Sequence, residues 1–138
     1  FSGYSPFPIL DNENFQETNR LPHIAQKITT QIHKTALGAE KIIQCEISKN
    51  ITEKIAKLKS EGFEIIALEQ SIESIKIPDF SADKCAKIAL LLGEEVDGIE
   101  ERLLALCDKH LEIPMFGQKE SFNVSVAAGI ALYKIACE

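Results

Sequence analysis

No apolar run in this sequence exceeds five residues, Ile88 to Leu92. A helix needs roughly 20 to cross a bilayer, so no membrane span is expected. Nothing from Phe1 onward has the basic-then-apolar form of a signal peptide. Basic residues are in deficit. Fifteen Lys and Arg against 21 Asp and Glu leave a net charge of −6 and a pI of about 5.1. Proteins that grip nucleic acid by bulk charge are usually basic. Any grip here must come from a local patch, or from surfaces joined across a dimer. Among Cys45, Cys85, Cys107 and Cys137 there is no CxxC pair and no histidine at zinc-ligand spacing. Free, buried thiols in a reducing cytoplasm are the expectation, with no metal site. Repeats and low-complexity tracts are also lacking.

What is present is an ordinary globular balance, 45% hydrophobic and 26% charged over 138 residues, which predicts one domain. Phe1 to Pro22, with Pro6, Pro8 and the cluster Asp11-Asn12-Glu13-Asn14, reads as an irregular loop. Ile24, Ile28 and Ile32 recur every fourth residue and predict an amphipathic helix from His23 to Lys34. Lys27, His33 and Lys34 on it are candidates for RNA contact, although a solvated helix face explains them as well. Gly38 breaks the pattern, and Lys41–Ile47 has strand character. A helix is expected after the capping pair Asn50 and Glu53, ending near Gly62. Phe63–Leu68 and Lys87–Leu92 read as buried strands with a polar crossover between them. A helix from about Glu100 to Cys107, a short strand His110–Ile113 and a final helix Ser121–Ala136 complete the chain. Strands alternating with helices imply an α/β fold, a parallel sheet flanked by helices.

In such sheets ligands bind at the carboxyl ends of the strands. Three loops fall there. One follows Leu68, with Glu69-Gln70. The second is Gly93-Glu94-Glu95-Val96-Asp97-Gly98. The third, Ile113-Pro114-Met115-Phe116-Gly117, leads into Glu120-Ser121-Phe122-Asn123-Val124-Ser125. The glycine-rich loop lacks the Lys of a P-loop, since Gly98 precedes Ile99. Its three carboxylates would repel a pyrophosphate and suit a ligand with hydroxyls and a positive centre. An acidic turn with glycines at positive φ is the plainer reading. Ser121 is a natural helix cap, and backbone N–H groups beside it could hold an anion.

Together, Leu91-Leu92-Gly93-Glu94-Glu95-Val96-Asp97-Gly98-Ile99 and Ile113-Pro114-Met115 with Glu120-Ser121-Phe122-Asn123-Val124-Ser125 resemble the second and third motifs of the SpoU (TrmH-type) RNA ribose 2′-O-methyltransferases, in the SPOUT superfamily. Lys34-Thr35-Ala36-Leu37-Gly38-Ala39-Glu40 and Ile65-Ile66-Ala67-Leu68-Glu69 resemble a branch of that family. The resemblance implies a SPOUT-type fold with a C-terminal trefoil knot, a cytoplasmic homodimer, and S-adenosylmethionine as cofactor. It implies methyl transfer to a ribose hydroxyl of tRNA or rRNA. By position, Gly93, Ile113 and Phe122 would bind the cofactor, with Leu68 bounding the same pocket. Glu95, Ser121 and Asn123 match positions associated with catalysis. Phe122 stands where relatives commonly carry Leu, which keeps an apolar contact.

The family's first motif, an Asn followed by an Arg, is absent; the only arginines are Arg20 and Arg102. The chain also opens at Phe1 rather than Met. An upstream strand–helix–strand carrying that motif is therefore expected, and the 138 residues alone are expected to be inactive. The competing readings are a non-catalytic RNA-binding or assembly module that kept the fold, and a small α/β enzyme using another nucleotide.

Overall fold

The computed structural model describes residues 7, 8, 21–44, 46–94, 97–118 and 121–137. The chain forms two compact units, residues 1–51 and 52–138. In the first, helix α1 spans Pro22–Ala36, with proline at its first turn, where a missing N–H is harmless. Leu37 (φ 51°) and Gly38 (φ 94°) then turn the backbone through the left-handed region. Residues 39–41 form a single 3₁₀ turn. The strand expected over Lys41–Ile47 is not found among the described residues, and Ile42 and Ile43 are exposed. The turn brings the buried Glu40 carboxylate onto His33 Nδ1 at 2.5 Å. That hydrogen bond holds the carboxyl below its ordinary pKa.

Residues 52–138 hold a four-stranded parallel sheet ordered β2-β4-β1-β3. The strands are β1 (Phe63–Leu68), β2 (Ile75–Lys76), β3 (Lys87–Leu92) and β4 (Lys109–Glu112). Ile66, Leu68, Ile88, Leu90, Leu111 and Ile113 share one cluster, the two-residue alternation of one sheet face. Ile65 and Ala67 on the opposite face are buried too, so β1 is covered on both sides, as parallel sheets require. Helices α2 (Ile51–Ser60), α3 (Glu101–Leu104) and α4 (Val124–Cys137) flank the sheet. Gly62, at φ 83°, ends the turn after α2.

Three expectations shift. The crossover after β1 contains β2, an exposed two-residue edge strand that pairs only with β4 and has too little pattern to read. Helix α3 is four residues long instead of about eight. The chain leaves it so that Asp108 can reach β1: Asp108 N–H donates to Ile65 O (2.7 Å), and its carboxylate accepts from Ile65 N–H (2.8 Å) and Lys59 Nζ (2.7 Å). The final helix starts at Val124, capped by Asn123 rather than by Ser121. Two thiols expected to be buried, Cys85 and Cys137, are exposed, while Cys107 is half-buried and burial raises its pKa. Cys45 lies outside the described residues.

Candidate active site

The carboxyl ends of β1, β3 and β4 open into one cleft of about 950 Å³, at the upper end of the range for small-molecule sites. Leu68, Gly93, Ile113, Ser121 and Phe122 all line it. The structure thus brings together five of the seven residues singled out from sequence. Glu95 lies outside the described residues. Asn123 is spent beside the cleft: its Oδ1 accepts from Ser125 N–H (3.0 Å) and Ser125 Oγ–H (2.6 Å), capping α4, whose Val124 and Ala127 form part of the wall.

The wall is apolar at Leu92, Leu104, Leu111 and Met115 and acidic at Glu69, Glu73, Glu94, Asp97, Glu101 and Glu112. Six carboxylates with no Lys or Arg among the lining residues disfavour a polyphosphate and favour a cation or a hydroxyl-bearing ligand. Among the described residues, no group of three or more His, Cys, Asp or Glu could hold a metal ion. The one described arginine, Arg102, pairs with Glu100 through Nε (2.5 Å) and Nη2 (3.3 Å). Each holds the other in its charged form, lowering the Glu100 pKa and raising that of Arg102.

Gly93 takes part in loop closure. A Cβ there would meet the carbonyl carbon of Gly98 at 2.5 Å and its Cα at 2.8 Å. The backbone of Gly98 therefore fills the space that the missing side chain leaves. Glu94 and Gly98 exchange two backbone hydrogen bonds, both 3.2 Å, that close the loop. Gly98 itself sits at φ 64°, a conformation few other residues adopt cheaply.

Sequence reading passed over a polar network on the other side of the cleft. His110 and Glu112, two apart on β4, point to the face opposite Leu111. His110 Nε2 donates to Leu104 O at 3.0 Å, because a carbonyl can only accept. In the neutral ring, Nδ1 then accepts from Ser71 Oγ at 2.9 Å. Ser74 Oγ lies 2.6 Å from Glu112 Oε2 and 2.8 Å from Ser71 O. These contacts bind the loop after β1 to β4. The alternation Lys109-His110-Leu111-Glu112 was the available signal: a polar strand face beside a buried one.

The family profile described as the SpoU rRNA Methylase family matches residues 17–133. The chain belongs to that family. A tRNA (guanosine(18)-2'-O)-methyltransferase of Aquifex aeolicus (strain VF5) is 35% identical over 97 residues, covering 70% of this chain and 45% of the relative. A 23S rRNA (guanosine-2'-O-)-methyltransferase RlmB of Xylella fastidiosa (strain 9a5c) is 34% identical over 107 residues, covering 78% of this chain and 42% of the relative. The chain thus spans less than half the length of these curated SpoU-family relatives. Among solved structures, the A. aeolicus TrmH/SpoU tRNA modifying enzyme superposes with a TM-score of 0.67 at 33% identity, over 74% of this chain and 51% of that one. The AdoMet-bound rRNA methyltransferase from Sinorhizobium meliloti superposes with a TM-score of 0.66 at 20% identity, over 85% and 42%, a likeness of fold. Among the described residues no helix is long and apolar enough to cross a membrane.

Proposed function

We propose that the chain is the cofactor-binding part of an S-adenosylmethionine-dependent methyltransferase that modifies a ribose 2′-hydroxyl in tRNA or rRNA. The cleft carries this reading. Leu68, Gly93, Ile113, Ser121 and Phe122, drawn from separate sequence motifs, line one cavity at the strand ends of a SpoU-family chain. The lining suits the cofactor chemically. Apolar Leu68, Ile113 and Phe122 fit a flat adenine, and the carboxylates Glu94 and Asp97 fit ribose hydroxyls and a positive centre. The names of the relatives, tRNA and 23S rRNA guanosine 2'-O-methyltransferases, support the substrate class.

When bound, S-adenosylmethionine supplies an electrophilic methyl group on a sulfonium. The chain's own part is binding and alignment, because in-line displacement depends on holding the two reacting atoms in register. Ser121 and Asn123 orient the ribose side by hydrogen bonding, and Glu95 is assigned to the catalytic set by its motif alone. Arg102 is held by Glu100. The group that handles the 2′-hydroxyl is therefore assigned to the family's first motif, which these 138 residues do not contain. The same reading makes residues 1–138 part of one methyltransferase domain, threads the C-terminal part as a trefoil knot, pairs two copies as a homodimer and places the protein in the cytoplasm, where thiols such as Cys85 and Cys137 stay reduced.

Tritiated S-adenosylmethionine with bulk tRNA or rRNA tests it, comparing the 138-residue chain with one extended upstream by the first-motif segment. Cofactor binding by both and transfer by the extended chain is the expected result. Comparable transfer by the short chain would sink the upstream assignment. No transfer by the extended chain on any RNA would favour a non-catalytic RNA-binding module.

A further inference from the structure

The acidic residues around the cleft do not all stand in the same chemical position. Glu69 follows the last residue of β1, and its backbone N–H donates to Leu111 O on β4 at 2.9 Å. Its side chain turns the other way. Oε1 accepts from Gln70 N–H at 3.0 Å, and Oε2 accepts from Ile99 N–H at 3.1 Å, in the segment that follows β3. One residue thus joins the carboxyl ends of β1, β4 and β3. Ile99 is anchored from the other end as well, since its side chain is buried. Glycine at 98 leaves the room the carboxylate needs: a Cβ on Gly98 would strike Glu69 Oε2. Gly98 in turn backs directly onto Gly93.

We propose that Glu69 is a positioning residue of the cofactor cleft, a latch that fixes Gly98 and Ile99, where the acidic loop ends, against the end of β1 before any ligand arrives. The proposal rests on the S-adenosylmethionine reading given above. Both carboxylate oxygens are committed to backbone N–H groups, so Glu69 acts through the loop and leaves contact with the ligand to Glu94 and Asp97. A charge-assisted hydrogen bond to a backbone amide is among the stronger single links available to a loop. A preformed loop spares the ligand the entropy of ordering it. Release of the latch therefore weakens binding without removing any group that touches the cofactor.

The test uses the purified chain, its Glu69→Ala variant and its Glu69→Gln variant. Gln keeps one oxygen for Ile99 N–H but turns an amide group toward Gln70 N–H, so it rescues in part. Calorimetry with S-adenosylmethionine is expected to show Kd raised about tenfold by Ala and about threefold by Gln, the loss that follows when one such bond stops holding the loop. Amide exchange at Ile99, measured by NMR without ligand, is expected to quicken in the Ala variant while the β1 amides stay protected. A purely structural residue would lower the melting temperature and leave the affinity of the folded fraction unchanged. If the Ala variant does not fold, the Gln variant decides on both readouts. A wild-type chain that binds no S-adenosylmethionine overturns the cofactor reading and the inference with it. A wild-type chain that binds, beside variants that bind equally well or leave Ile99 exchange unchanged, overturns the inference alone.

Discussion

At the scale of single residues, one long-range constraint is electrostatic and lies outside the cleft lining. Asp108 accepts from Lys59 Nζ and from Ile65 N–H, and both hold its carboxyl below the ordinary 3.8, the lysine most. A folded-state pKa below the unfolded value contributes stability above the unfolded pKa, and that contribution is lost as pH falls through the folded one. The fold is therefore expected to lose stability below about pH 4 in part through this group. Asp108→Asn should lower the melting temperature at pH 7 and flatten the acid limb between pH 5 and 2. Thermal melts across that range check it; parallel curves for the two proteins reject it. Little of this was legible in the sequence, where Asp108 fell between the helix expected to Cys107 and the strand expected from His110. Its partners Lys59 and Ile65 are 49 and 43 residues away, and no local pattern reports a contact of that range. Gly93 was legible only through its motif, as a cofactor-binding position. The structure adds that the Gly98 backbone occupies the space where a side chain at 93 would stand.

At the scale of elements, the apolar strands of the sheet were read well, and segments set by distant contacts were not. Strands β1 and β3 stand where their apolar runs placed them: β1 is buried on both faces and β3 pairs with it along its whole length. β2 escaped notice because two exposed residues carry no periodicity. Helix α3 was overextended because propensity cannot see Asp108 leave it for β1. The start of α4 is the informative case. Asn123 is expected to have two separable roles, the cap observed here and the catalytic one proposed from its motif. Asp caps as well as Asn, whereas Ala removes the acceptor at about 1 kcal/mol. Asn123→Ala should therefore lower both stability and methyl transfer. Asn123→Asp should keep the melting temperature within a degree or two, by the same equivalence of caps, and still lose transfer. Melting curves paired with tritium transfer by the extended chain separate the roles. Full activity in the Asp variant would leave Asn123 as a cap alone.

At the scale of the whole molecule, the parallel sheet with its cleft at the strand ends was legible because alternation of strands and helices permits few architectures. The residues lining the cleft were legible only through motifs, since no periodicity marks a loop. What α4 leaves uncovered follows from the helix itself. Ala131 is fully buried and Ile135 packs against the core cluster, which fixes the inward face. Val126, Ile130 and Tyr133 recur at i, i+4 and i+7 along another face and remain 49%, 36% and 63% exposed. Leu132 beside them is 53% exposed. A helix apolar on more than one side calls for a second surface. Gly129 within this stretch has open space where a Cβ would stand, which permits close approach of another backbone. In the proposed homodimer that surface is the same helix of a second copy, and a two-fold interface repeats each residue. A charge at one position is thus introduced twice. Ile130→Glu is expected to raise the dimer dissociation constant by about a hundredfold or more, from two lost apolar contacts of roughly 1.5 kcal/mol each. Its residues 52–138 should stay folded, because Ile130 lies off the Ala131 face. Light scattering at micromolar concentration should give twice the 15.3 kDa chain mass for the wild type and a single chain mass for the variant. A monomeric wild type rejects the homodimer, and a variant that remains dimeric moves the interface away from α4.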